Sequence, residues 1–163
     1  MDRSESRRHF LVRGAALGAT LAAARLALPA ELLAAGDPEH PEAPNEEVAR
    51  ILRGIIGDKP LGKGHIQLDM PVVAEDGRIV PVMLEWDLPI TPERYVTAVH
   101  LIVDHNPDAH LAAFHLTPAF GSVSIQTRIK MKRTTWVRAL AVTSVGEVWA
   151  DYAKVAVTLN GCG

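Results

Sequence analysis

Cysteine occurs once in the 163 residues, which excludes an internal disulfide framework and a cysteine-based zinc cluster. Aromatic residues make up only 5% of the chain, too few for base-stacking platforms. The formal net charge of -2 lacks the basic excess that nucleic-acid binding demands. No Ser/His/Asp order, glycine-rich phosphate loop or closely paired carboxylates stand out as a catalytic set. The longest uncharged stretch near the start, GAALGATLAAA from Gly14 to Ala24, is well short of the roughly 20 residues that span a bilayer. What is present is 48% hydrophobic and 22% charged, an ordinary globular balance, and the length suits one domain.

Residues 1–36 do not read like the rest. Arg7 and Arg8 directly precede an apolar pair, Phe10-Leu11, after a single histidine. The weakly hydrophobic run follows, and then small residues up to Gly36. A basic start, a modest apolar centre and small residues form an export signal, and the twin arginine indicates the route that carries folded cargo to the periplasm. Both Leu28-Pro29-Ala30 and Leu33-Ala34-Ala35 are imperfect cleavage sites. The segment holds five basic and three acidic residues, so the remaining 127 carry 12 basic and 16 acidic side chains, a formal charge of -4.

The body, residues 37–159, reads as one helix followed by strands. Asp37 to Pro44 is a proline-rich leader. Asn45 then caps a helix whose first turn holds Glu46 and Glu47, where the dipole favours negative charge. Val48, Ile51, Leu52, Ile55 and Ile56 form one apolar stripe, and Gly57 ends it. After Gly64 the period changes from 3.6 to 2. Strands are expected near 66–70, 79–86, 95–104, 110–116, 122–131, 135–143 and 147–159. The clearest alternation sets Val123, Ile125, Thr127, Ile129 and Met131 against Ser124, Gln126, Arg128, Lys130 and Lys132. Seven antiparallel strands with regular turn signals predict an all-β, immunoglobulin-like sandwich. The Asp76-Gly77 pair, preceded by Glu75, reads as a turn.

Two residue sets invite functional readings. His100, His105, His110 and His115 fall at a spacing of five. An odd spacing along a strand sends successive side chains to opposite faces, so only His105 and His110, flanking the Asn106-Pro107-Asp108 turn, are expected to meet. Two ligands make a poor metal site, so no metal or other cofactor is assigned, and a periplasmic metal-binding module built on this pair or a structural interaction module stands as the alternative function. The run Arg128, Lys130, Lys132, Arg133 and Arg138 contains no acid. It is either a solvated strand face or a docking patch for an acidic partner or small anions, with Arg128, Lys130, Lys132 and Arg133 as the docking candidates.

Cys162 lies between Gly161 and Gly163, beyond the last strand. The segment 160–163, Asn160-Gly161-Cys162-Gly163, reaches about 13–14 Å when extended, and its glycines widen the allowed backbone angles. Such a thiol has no histidine near it in sequence and is a poor catalyst. It suits modification by other proteins, as a covalent handle. An incidental cysteine and an intermolecular disulfide are the competing readings.

Taken together, these stretches resemble SoxY, the sulfur-carrier family of the bacterial thiosulfate-oxidising Sox system. The marks are IQLDMPVVAEDGRIVPVMLE at 66–85, Asn106-Pro107 followed by Leu111-Ala112-Ala113-Phe114, SIQTRIKM at 124–131, and Val155 to Leu159 running into Gly161-Cys162-Gly163. The resemblance implies a carrier with no activity of its own, paired with SoxZ in a heterodimer. It also implies that Cys162 is conjugated to thiosulfate by the cytochrome SoxAX. The terminal sulfonate is then hydrolysed by SoxB, and sulfane sulfur is oxidised by SoxCD. The family tail is typically Gly-Gly-Cys-Gly-Gly, whereas Asn160 stands here at the first glycine and the sequence closes at Gly163. A carrier for a different sulfur route is therefore the alternative within the family.

Overall fold

The computed structural model describes residues 41–159. Helix α1, Glu46–Ile56, begins as expected: the Asn45 side chain accepts a hydrogen bond from the Val48 amide at 2.8 Å. It stops at Gly57, whose φ of 58° lets its N–H turn back to the Arg53 carbonyl at 2.9 Å.

Nine strands follow among the described residues: β1 (Leu61–Lys63), β2 (Ile66–Asp69), β3 (Val73–Asp76), β4 (Val80–Trp86), β5 (Val96–Val103), β6 (His110–His115), β7 (Ser124–Ile129), β8 (Thr135–Thr143) and β9 (Val148–Leu159). They form two sheets. The smaller has the order β2-β4-β7; the larger has the order β1-β9-β8-β5-β6, with β3 also paired to β9. The all-β sandwich is the expected one, and all seven expected strands are found within one or two residues of their ends.

Two strands were not expected, and both run parallel to β9, so the sandwich is not wholly antiparallel. β1 lies along Val148–Ala150, and β3 along Ala156–Leu159. Between them the chain crosses into the smaller sheet as β2, with Gly64 (φ 91°) and His65 (φ 60°) making the bend. Neither β1 nor β3 carries an alternating apolar pattern: β1 buries no residue fully and β3 buries only Ala74. Their order comes from pairing with β9 rather than from a hydrophobic face.

The core between the sheets is built from Ile66, Leu68, Val80, Val82, Leu84 and Trp86 on one side and Val99, Leu101, Val103, Val137, Ala139 and Val155 on the other. A second cluster lies on the outer face of the larger sheet. There the stripe of α1, Val48 with Ile51, Leu52, Ile55 and Ile56, covers Ile102, Leu140, Val148 and Ala150. Full burial of a large aliphatic side chain is worth about 1.5–3 kcal/mol, which Val48 reaches and the four half-buried residues of the stripe reach in part. The helix is thus bound to the sheet by its apolar face.

Candidate functional site

β9 is longer than its neighbour. Val155 is the last residue paired with β8, opposite Thr135; from Ala156 onward β9 leans on β3 instead. Side chains fasten this final stretch on both flanks. The Val157 amide donates to Thr134 Oγ1 at 2.9 Å, and Thr158 Oγ1 donates to the Glu75 carbonyl at 3.0 Å. Leu159, in register with Asp76, is the last described residue. Cys162 follows three positions later. It lies outside the described residues, as do Asn160, Gly161 and Gly163, and Arg7 and Arg8 of the leader.

Two connections between the sheets surround the end of β9. One is the β3–β4 turn. Its Arg78 grips Asp76 through both carboxylate oxygens, with Nη2 at 2.7 Å from Oδ2 and Nε at 3.0 Å from Oδ1. The Arg78 hydrogen bonds hold the Asp76 carboxyl below the ordinary carboxylate range, and Asp76 raises Arg78 in return. The other is the β7–β8 loop, residues 130–134, carrying Lys130, Lys132 and Arg133, all exposed. The two are joined: the Met131 amide donates to the Gly77 carbonyl at 2.7 Å, and the Met131 side chain is fully buried.

A third connection braces the loop. Asn106, buried in the β5–β6 turn, donates from Nδ2 to the Lys130 carbonyl at 2.7 Å and accepts from the Lys132 amide at 3.0 Å. One carboxamide thereby fixes both lysine backbones, leaving their side chains in solvent. No described carboxylate pairs with Lys130, Lys132 or Arg133.

The structure divides the sequence-predicted basic run. Lys130, Lys132 and Arg133 gather beside the end of β9. Arg128 stands further back, exposed on β7 opposite Pro81 of β4. Arg138 does not belong to the patch. It is 4% exposed and forms a two-point ion pair with Asp104, at 2.8 Å (Nε to Oδ1) and 2.6 Å (Nη2 to Oδ2). Its Nη2 also donates to the Glu42 carbonyl at 3.0 Å, and its guanidinium lies 5.9 Å from the Tyr152 ring.

The histidine expectation is corrected. His105 occupies the turn at φ 63° and does not meet His110. His110 meets His100 instead, Nδ1 of His100 sharing a hydrogen bond with Nε2 of His110 at 3.1 Å. The cause is a bulge. Ala112 lies opposite Leu101, but His110 lies opposite Ile102, so Leu111 is an extra residue. One extra residue reverses the parity of the strand, turning the odd spacing of His110 and His115 into an even one. Burial pushes the His100 imidazole down, and His110 and His115 add to the effect. Among the described residues no three His, Cys, Asp or Glu side chains are grouped to hold a metal ion.

Sequence reasoning missed His65. Its Nδ1 bonds Asp87 Oδ1 at 2.8 Å, and its ring meets Trp149 edge-on at 4.4 Å between centroids. This pair sits where β9 begins, at the far end of the strand from Leu159. It missed Arg78 and the Asn106 brace as well. Asp76-Gly77 was legible as a turn, but nothing local said that the turn would stand against the last strand.

Residues 52–162 match the family described as sulfur oxidation protein SoxY. The chain belongs to the SoxY family. That membership gives it a role in sulfur oxidation by the Sox system. No curated protein matches the chain. Among solved structures, the sulfur carrier protein SoxY from Chlorobium limicola f thiosulfatophilum is similar, with a TM-score of 0.54 and 22% identity. That similarity covers 69% of this chain and 96% of the Chlorobium one, and so the two share a fold. A superoxide reductase (neelaredoxin E23A) from Ignicoccus hospitalis aligns at a TM-score of 0.48 and 11% identity, covering 67% of this chain and 86% of that one.

Proposed function

We propose that this SoxY-family chain is a periplasmic covalent sulfur carrier whose attachment point is Cys162. The observation that carries the reading is the family match, which runs through residues 52–162 and so takes in the only cysteine of the chain. The anchored end of β9 supports it, because a carrier needs a firm base from which to present a short tether. The leader with Arg7 and Arg8 supports export by the twin-arginine route, with residues 1–36 removed and 160–163 serving as the carrier tail.

The chemistry balances with thiosulfate as cargo. The Cys162 thiolate and the outer sulfur of thiosulfate join in a new S–S bond, giving Cys–S–S–SO3−, and two electrons pass to the haem groups of a SoxAX-type cytochrome. Water then cleaves the bond between the outer sulfur and the sulfonate, releasing sulfate and leaving a persulfide, the step of a SoxB-type hydrolase. A SoxCD-type dehydrogenase then takes six electrons from the remaining sulfane sulfur to its own redox centres and adds three oxygens from water, giving Cys–S–SO3−, which the SoxB-type hydrolase releases as a second sulfate. The carrier contributes no acid, base or metal to these steps; its partner subunit is SoxZ-like.

Replacing Cys162 with Ser tests the reading. Thiosulfate-dependent electron transfer in the reconstituted system is expected to vanish, while circular dichroism and the melting temperature stay those of the native protein. Electron transfer surviving the substitution would refute Cys162 as the carrier residue.

A further inference from the structure

The end of β9 bounds how far Cys162 can stand from the sandwich. Three residues separate it from Leu159, and three fully extended residues cover at most about 10–11 Å. An enzyme that encloses the sulfur must therefore bring its own surface within that distance of Leu159. Whatever surrounds the end of β9 becomes the contact surface of every such complex. The surroundings are the β3–β4 turn with Arg78 and the braced 130–134 loop with Lys130, Lys132 and Arg133.

The charge there runs against that of the rest. Residues 37–163 carry a formal -4, yet this end presents Lys130, Lys132 and Arg133 with no described carboxylate bonded to them. The acids nearby are Asp76, which Arg78 occupies, Asp104, which Arg138 occupies, and Glu42, which pairs with Lys154, together with Glu75 and Asp108 of the same turns. The loop backbone is held by Asn106, by the Met131–Gly77 bond and by the Thr134–Val157 bond, so on contact only the side chains of the cations have to be ordered. Exposed apolar side chains flank the same end: Val72 is 78% exposed and Ile79 62%. A cationic collar with an apolar sector is a protein-docking surface, and its charge selects an acidic partner.

We propose that this collar, centred on Lys132 and Arg133, docks the carrier against an acidic rim around the channel of the enzyme that loads Cys162. The inference rests on the carrier reading. At physiological salt such charges act over about 8 Å, comparable to the length of the tether, so attraction between collar and rim aligns the tether with the channel.

The test uses the full chain with its SoxZ-like partner and a SoxAX-type cytochrome, comparing the native carrier with Lys132→Glu/Arg133→Glu. Both positions are exposed, and neither takes part in the core or the Asn106 brace through its side chain. At low ionic strength the charge-reversed carrier is expected to lose about tenfold or more in kcat/KM for loading, with a flattened salt dependence. Lys132→Arg/Arg133→Lys is expected to load like the native protein. Alkylation of Cys162 by iodoacetamide is expected to be equal in all three. Equal loading of native and charge-reversed carriers at every salt concentration would overturn the collar while leaving the carrier reading intact. If the reversal abolished co-elution with the SoxZ-like subunit on gel filtration, the surface would belong to the heterodimer and the inference would also fail. If the native carrier took no adduct at all, the carrier reading itself would fail.

Discussion

Arg138 shows how much a single side chain costs and stabilises in this fold. Its ion pair with Asp104 is almost fully dehydrated, at 4% and 6% exposure, and three hydrogen bonds satisfy the guanidinium. Removing one partner strands the other charge, so Asp104→Ala is expected to lower unfolding free energy by about 3–5 kcal/mol in urea titration. A change below about 1 kcal/mol would mean that water replaces the carboxylate. In sequence Arg138 was indistinguishable from Lys132 or Arg133, because its partner lies 34 positions away. His100 makes a second residue-scale prediction. Its folded pKa lies below the ordinary 6.5, with His110 and His115 on the same face. The unfolded chain therefore binds the proton more readily, and stability falls as pH drops through 6.5. The melting temperature is expected to decline between about pH 7.5 and 5.5, and less steeply in His100→Gln. Identical profiles for the two proteins would contradict the assignment.

The elements divide by how their order is encoded. Helix α1 and strands β4, β5, β7 and β8 carry their own apolar pattern and were legible from sequence. β1 and β3 are ordered by backbone pairing with β9, which leaves almost no trace in residue type. The bulge at Leu111 is likewise silent, since an extra residue in a strand changes parity without changing composition, and it misdirected the histidine reading. β1 depends on one close approach. A Cβ on Gly62 would stand 2.5 Å from Cε3 of the Trp149 ring, too near for either to remain in place. Gly62→Ala is therefore expected to cost about 1–3 kcal/mol and to alter tryptophan fluorescence by moving Trp149 against His65. Native stability and an unchanged emission spectrum would show that β1 yields instead of the ring.

At the scale of the whole molecule, the sandwich anchors the end of its last strand, the base of the proposed tether. β9 receives its first half from β8 and β1 and its last residues from β3 and Thr134, and the loops gathered there give that end its positive charge. The fold class was readable in the chain through period-2 patterning, and an isolated cysteine in a glycine-rich stretch singled out the proposed attachment residue. The collar was only half readable: Lys130, Lys132 and Arg133 fall within four positions of the sequence, but their place beside the end of β9 and Arg78 depends on contacts between distant residues. The most direct measurement is mass spectrometry of the intact chain during thiosulfate turnover with a SoxAX-type cytochrome, followed by peptide mapping. The account predicts a sulfur-containing adduct on the peptide that holds Cys162, converted to a shorter one when a SoxB-type hydrolase is added. A chain that turns over thiosulfate while Cys162 stays an unmodified thiol would contradict it.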